Sequence, residues 1–303
     1  MLGNPKNRYN SVQEYLNSLK SNLRGCDRAL IQDALADAEE YFKTSMDALK
    51  KDNPELNDAE IFQLAADDFG NPDEIAEDYR KIDNYLTPAL AKTNVVDNRP
   101  WWQKFLMIIA DPKAWGAVFY MIISLVTGIF FFTWVTTGLS LSLSLLILII
   151  GLPIAGLYLL SIRGIALVEG RIVEALLGVR MPRRAMFIKS EKGLWNRFVE
   201  LLSSGVTWKA QLYMIIQLGL GIVYFTLIVT LFATALSLIF APFVELIFDH
   251  PIVVNGEIDY ELQPWLLPFI SIFGALLLLG TLHLSKLIGR FHGWFAKLML
   301  VHK

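Results

Sequence analysis

Cysteine is nearly absent from this chain: the single Cys26 rules out an intramolecular disulfide framework and any cysteine-rich metal site. Histidine is scarce as well. None of His250, His283, His292 and His302 stands four residues from another, so no zinc helix is encoded, and neither a Gly-x-Ser-x-Gly elbow nor a Walker loop occurs. No enzyme activity, cofactor or metal is therefore expected. The first thirty residues lack the apolar run of a signal peptide, so the N-terminus is expected to be retained and to stay in the cytoplasm. Cys26 reads as a helix residue rather than a thiol switch.

Charge is also thin, at 18% of residues against 54% apolar, and it is unevenly spread. Residues 1–99 hold 19 Asp and Glu against 12 Lys and Arg, whereas residues 100–303 hold 10 against 15. Two environments are implied. A net charge of −7 over the first part argues against direct nucleic acid binding by phosphate neutralisation.

Charge is missing altogether over 49 residues, 114–162, about twice what one helix needs to cross a hydrocarbon core. Two spans fit there, near 115–135 and 139–161, with the turn expected at Thr136-Thr137-Gly138. A second uncharged run covers 210–244, and a third, 262–285, holds only His283. Four spans result. Nine basic residues lie in 163–209, while Glu245, Asp249, Glu257, Asp259 and Glu261 have no Lys or Arg among them. Basic loops stay inside, so both termini are expected in the cytoplasm and the acidic loop, about 243–263, outside.

Sliding the chain by 93 residues aligns 102–133 with 195–226 at 13 of 32 identities, where apolar bias alone gives about three or four. Trp102/Trp195, Trp115/Trp208, Tyr120/Tyr213 and Gly128/Gly221 are among them. A shift of 123 pairs Arg163, Gly170, Glu174 and Leu177 with Lys286, Gly293, Lys297 and Leu300. Two parallel two-span repeats follow, each reading as interfacial helix, span, span, interfacial helix. The expected fold is all-α: a small cytoplasmic helical domain at 1–90, a linker and juxtamembrane amphipathic helix at 91–113, and repeats at 114–194 and 195–303.

The second interfacial segment puts Arg163, Gly170, Arg171 and Glu174 on one face and Ile165, Val168, Ile172 and Leu176 on another, as in a helix lying among headgroups. Simple anchoring accounts for this. Arg163, Arg171, Arg180, Arg183 and Arg184 are the candidate contacts to anionic membrane lipids. Glu245, Asp249, His250, Glu257, Asp259 and Glu261 form the candidate stimulus loop, able to attract cations, although a solvated outer loop has the same composition. Val253-Val254-Asn255-Gly256 carries a hairpin signal.

In the N-terminal part, Val12, Leu16, Leu19 and Leu23 recur at helical spacing, followed by Leu30, Ala34, Ala38, Phe42 and Leu49. Asn57 with Glu60 forms a capping box, Gly70 is a stop, and Asn71-Pro72-Asp73-Glu74 restarts a helix. The pattern Tyr15-Leu16, Leu19 and Leu23, then Tyr41-Phe42, then Phe69-Gly70-Asn71-Pro72-Asp73-Glu74-Ile75-Ala76, resembles the bacterial HAAS signalling domain over about 10–83. Residues 100–303, with Val168-Glu169-Gly170-Arg171 and Leu176-Leu177-Gly178, resemble the sensor domain of bacterial membrane sensors and some histidine kinases.

The HAAS resemblance implies a cytoplasmic signalling module that works with a protein partner, such as a PadR-type regulator. Phe69, Gly70, Asn71, Pro72 and Ile75 are its candidate docking segment. The function that follows is a bacterial inner-membrane sensor relaying a membrane or extracytoplasmic stimulus to that partner through a helix at 100–110, bracketed by Pro100 and Asp111-Pro112. The alternative is a non-catalytic accessory or scaffold subunit of a membrane transport complex. A transporter in its own right is disfavoured, because no span is expected to carry a buried carboxylate, Lys or Arg. The oligomeric state stays open.

Overall fold

In the computed structural model, the residues described are 9–85, 88–91, 100–145, 151–184, 194–248, 253–254, 258–259 and 264–301. Four short helices come first, each started by its own chemistry. Ser11 accepts the Glu14 N–H to open α1 (Val12–Asn22), and Asp27 accepts the Ala29 N–H to open α2 (Arg28–Asp52). Asn57 and Glu60 exchange both capping-box bonds, at 2.8 and 3.0 Å, to open α3 (Asp58–Phe69). Gly70 then leaves the helix at φ 107°, a conformation that favours glycine, and Pro72 begins α4 (Pro72–Tyr85).

These helices close around Tyr15, Leu19, Leu23, Ala34, Ala38, Phe42, Phe62 and Ala76. Each large apolar side chain contributes about 1.5–3 kcal/mol by leaving water. The Tyr15 hydroxyl donates to the Gly70 carbonyl at 2.8 Å, which ties the first helix to the α3–α4 turn.

The second part begins with α5 (Trp101–Leu106) and a 3-10 turn, Met107–Ala110, then four helices long and apolar enough to cross a membrane. They are α6 (Pro112–Leu145), α7 (Gly151–Leu177), α9 (Gly205–Phe248) and α10 (Leu267–Leu300), with the short α8 (Leu194–Ser203) leading into α9. A two-residue antiparallel pair, β1 (Val253–Val254) with β2 (Ile258–Asp259), falls where the hairpin signal lies.

Two expectations are corrected here. The turn expected at Thr136-Thr137-Gly138 is absent, because α6 runs through it as far as Leu145. Gly138 serves packing instead: a Cβ there would lie 2.3 Å from the Tyr158 ring. Nor do residues 163–177 form an interfacial helix of their own. Residues 163–177 continue α7 as one rod of 27 residues, about 40 Å long, since no glycine or proline in that stretch breaks the hydrogen-bond ladder.

Helices α6 and α9 cross at the centre, with α7 on α6 and α10 against both. The crossing is built on small residues that let backbones meet. A Cβ on Gly128 would stand 2.8 Å from the Gln217 carbonyl oxygen, and one on Gly221 would stand 2.4 Å from that of Ser124. The buried positions of α6 recur 93 residues on in α9: Ala117/Ala210, Tyr120/Tyr213, Met121/Met214, Ser124/Gln217, Phe131/Tyr224 and Val135/Ile228. The indoles repeat too, Trp115 donating to the Ile109 carbonyl and Trp208 to that of Leu202, each at 2.7 Å.

Candidate functional site

Where α6, α7, α9 and α10 meet, polar groups gather in the apolar interior. Tyr120 of α6 and Tyr213 of α9 both donate to Glu169 Oε1 of α7, at 2.7 and 2.9 Å. His292 of α10 faces them, its Nε2 at 2.5 Å from the Tyr120 hydroxyl and 3.0 Å from that of Tyr213. Gln217 Nε2 donates to the Tyr120 oxygen at 3.1 Å, and the Tyr224 hydroxyl lies 3.4 Å from His292 Nδ1. Glu169, Tyr213, Gln217 and His292 are fully buried, Tyr120 all but so.

Proton counting selects one arrangement. Each tyrosine has one proton, and both go to the carboxylate, so His292 must donate from Nε2 to the phenol oxygens. Its Nδ1 is then the acceptor for Tyr224. Two buried acceptors, Glu169 Oε2 and Gln217 Oε1, have no hydrogen-bond partner among the described residues. A buried carboxylate held only by neutral donors is costly, and taking up a proton relieves that cost. The Tyr120 hydroxyl touches both carboxylate and imidazole, so one proton added to the cluster has two neighbouring sites, Glu169 and His292, linked through that hydroxyl without any backbone movement.

This overturns the expectation that no span carries a buried carboxylate. Glu169 lies within the segment 163–177 expected among headgroups, but six residues from Arg163 and two from Arg171 it falls on the opposite side of the helix from both. The repeat contained a usable signal: the 123-residue shift that pairs Gly170 with Gly293 also pairs Glu169 with His292, and the 93-residue shift pairs the two tyrosines.

Below the cluster, α7 ends at Gly178, whose φ of 66° turns the chain out of the helix. Residues 178–184 then run beneath the N-terminal helices. Asp33 Oδ1 of α2 accepts the backbone N–H groups of Arg183 and Arg184, at 2.6 and 3.1 Å. Burial raises the Asp33 pKa above the usual carboxylate value, against the lowering effect of those two N–H bonds and of Arg180. Arg184 pairs with Asp37 at 2.6 Å and with Glu40, and Lys297 of α10 pairs with Asp27.

The residues singled out in the sequence take varied places. Arg163 bonds the Thr207 hydroxyl at 3.3 Å, Arg171 pairs with Glu174, and Arg183 reaches the same carboxylate at 3.6 Å. Arg180 is buried beside Asp27 and Asp33. Of the acidic loop, Asp249, His250, Glu257 and Glu261 lie outside the described residues, and Asp259 is placed only as backbone of β2. Phe69 packs on Tyr15, Tyr41 and Phe42, and Ile75 sits under Gly70, while Asn71 is exposed and Pro72 buried. His283 stacks on Phe105, ring centroids 5.0 Å apart. Cys26 is half-buried and free.

Comparison with known proteins gives two matches. Residues 14–78 match the HAAS family model, and residues 120–300 match the family described as "Putative sensor". No curated protein and no solved structure matches the chain. The second model covers more than half of the chain and contains every residue of the buried cluster: the protein belongs to this Sensor family and carries a HAAS domain ahead of it.

Proposed function

We propose that this chain is a bacterial inner-membrane sensor, with both termini in the cytoplasm, that relays a membrane or extracytoplasmic stimulus to a cytoplasmic protein. A transcriptional regulator of the PadR type is the partner suggested by the HAAS domain. One observation carries the reading: a single helix, α7, holds both ends of the path. Glu169 sits in the buried cluster, and Glu174, five residues and about 7.5 Å farther along, holds Arg171 and Arg183 beside the Asp33 contact. A shift of α7 that suits one protonation state of the cluster therefore reaches the N-terminal helices directly.

The recurrence of buried positions at 93 residues supports two span pairs arranged about an axis along the membrane normal, with the cluster on that axis. Units at 114–194 and 195–303 remain the proposed division, and Phe69, Gly70, Asn71, Pro72 and Ile75 the proposed partner segment. A stimulus acts on such a device only by favouring one of its two states.

The test is chemical cross-linking to the N-terminal module in intact membranes, comparing wild type with Glu169→Gln. Recovery of a transcriptional regulator in amounts that change with Glu169→Gln is the expected result. Recovery of transport subunits alone, or of a regulator indifferent to position 169, contradicts it.

A further inference from the structure

Asp33, Asp37 and Glu40 stand at i, i+4 and i+7 on α2, so their carboxylates share one face of the helix. Like charges at that spacing repel one another, and a cationic cover relieves them. Here the cover is a segment of the same chain. Residues 178–184, which leave α7 at Gly178, lay two consecutive backbone N–H groups, those of Arg183 and Arg184, on Asp33 Oδ1 at 2.6 and 3.1 Å. The Arg184 guanidinium forks across the other two acids, its Nε at 2.6 Å from Asp37 and its Nη1 on Glu40. Asp37 also accepts the Tyr79 hydroxyl at 2.6 Å, which orients that carboxylate for the fork. Arg180 lies buried beside Asp33 and Asp27.

The occupant has a definite chemistry. Pro182 has no N–H of its own, so the turn presents its donors from Arg183 onward. A lysine at 184 would bring a point charge to one carboxylate, with no planar fork to bridge two. The α2 face is thus fitted to a short arginine-bearing segment, and the chain itself supplies one. Held by its connection to α7, that segment competes with any outside ligand at an effective concentration of about a millimolar. Glu174 of α7 also holds Arg183, at 3.6 Å, so a shift of α7 acts on the occupant directly.

We propose that the Asp33, Asp37 and Glu40 face of α2 is a docking surface for a cytoplasmic protein that presents a basic segment with paired arginines. Residues 178–184 occupy that surface as a tethered stand-in and keep it closed until α7 withdraws them. The existence of the partner rests on the function proposed above; the surface and its chemistry do not.

The test uses the full-length protein in neutral detergent and a fluorescent peptide with the sequence of residues 178–184, followed by anisotropy. Arg184→Gln in the protein loosens the tethered occupant and is expected to tighten peptide binding about five-fold over wild type. Adding Asp37→Asn and Glu40→Gln to that protein is expected to weaken the peptide about ten-fold. Should the combined variant not fold, Glu40→Gln with Arg184→Gln tests the same point at a half-exposed position, with a loss of about five-fold expected. A peptide carrying Arg180→Lys, Arg183→Lys and Arg184→Lys, equal in charge, is expected to bind about ten-fold more weakly than the arginine peptide. Equal peptide affinity of wild type and Arg184→Gln, equal affinity for the two peptides, or binding indifferent to the α2 acids would each overturn the surface. Binding with the expected dependences sustains it even where cross-linking recovers no regulator, an outcome that would fault the proposed function alone.

Discussion

At the residue scale, the buried cluster is asymmetric although its tyrosines occupy equivalent positions. Tyr120 bonds Glu169 and His292 and accepts from Gln217, whereas Tyr213 makes longer bonds to the first two and none to Gln217. Losing a partner of a buried polar group costs about 1–3 kcal/mol in proteins generally, and inter-helix hydrogen bonds in membranes average nearer 0.6 kcal/mol. Tyr120→Phe should therefore destabilise the protein by about 1–3 kcal/mol, and Tyr213→Phe by less. Unfolding in detergent measures both, and a larger loss for Tyr213→Phe would contradict the bonding described. Asp33 permits a second prediction. Its pKa is raised in the docked state, so its contribution to docking is fullest below the ordinary aspartate range and is lost as pH rises through the raised value. Asp33→Asn keeps an oxygen for the Arg183 and Arg184 N–H groups but removes the buried charge. It should hold docking at least as well and flatten the pH dependence in that window, whereas Asp33→Ala should lose about 1–3 kcal/mol. Hydrogen exchange at amides 183 and 184 over a pH series distinguishes them, and equal behaviour of the two variants would refute this role for Asp33.

At the element scale, α7 is the part on which the rest depends, and its exit is controlled by Gly178. A Cβ there would fall 2.2 Å from the Leu90 carbonyl oxygen, on a backbone with φ 66° that already disfavours side chains by about 1–2 kcal/mol. Gly178→Ala should push residues 88–91 away and open that segment to protease, and unchanged cleavage would mean the close approach is not needed. The N-terminal helices were legible because each boundary is local chemistry: Ser11, Asp27, Asn57 with Glu60, Gly70, Pro72. The number of spans was legible from uninterrupted apolarity. The turn between the first two was not, since Thr136-Thr137-Gly138 looks like a break in one dimension and is a packing notch for Tyr158 in three. The role of Glu169 is hidden for a related reason. Arg163 and Arg171 mark the segment as a headgroup helix, yet Glu169 lies on the opposite side of that helix from both, and the placement of α6, α9 and α10 around α7 turns it inward.

At the scale of the whole molecule, the acidic N-terminal module sits on the basic exit of the membrane part through Asp33, Asp37, Glu40 and Asp27. This accounts for the opposite charge balance of the two halves. It also gives the proposed relay its geometry, from a proton-bearing cluster among four helices, along one of them, to a seam held by hydrogen bonds and ion pairs. Distance measurement by electron spin resonance tests the relay most directly. The labels would be placed at Lys43→Cys on α2 and Ile122→Cys on α6, both exposed, in a Cys26→Ser background in lipid nanodiscs. Glu169→Gln keeps the oxygen that accepts from both tyrosines while fixing the carboxyl in an uncharged form. Transmission through α7 requires the distance distribution to shift or broaden in that variant relative to wild type. Superimposable distributions in a Glu169→Gln protein that still unfolds cooperatively would show that the cluster and the N-terminal module are uncoupled.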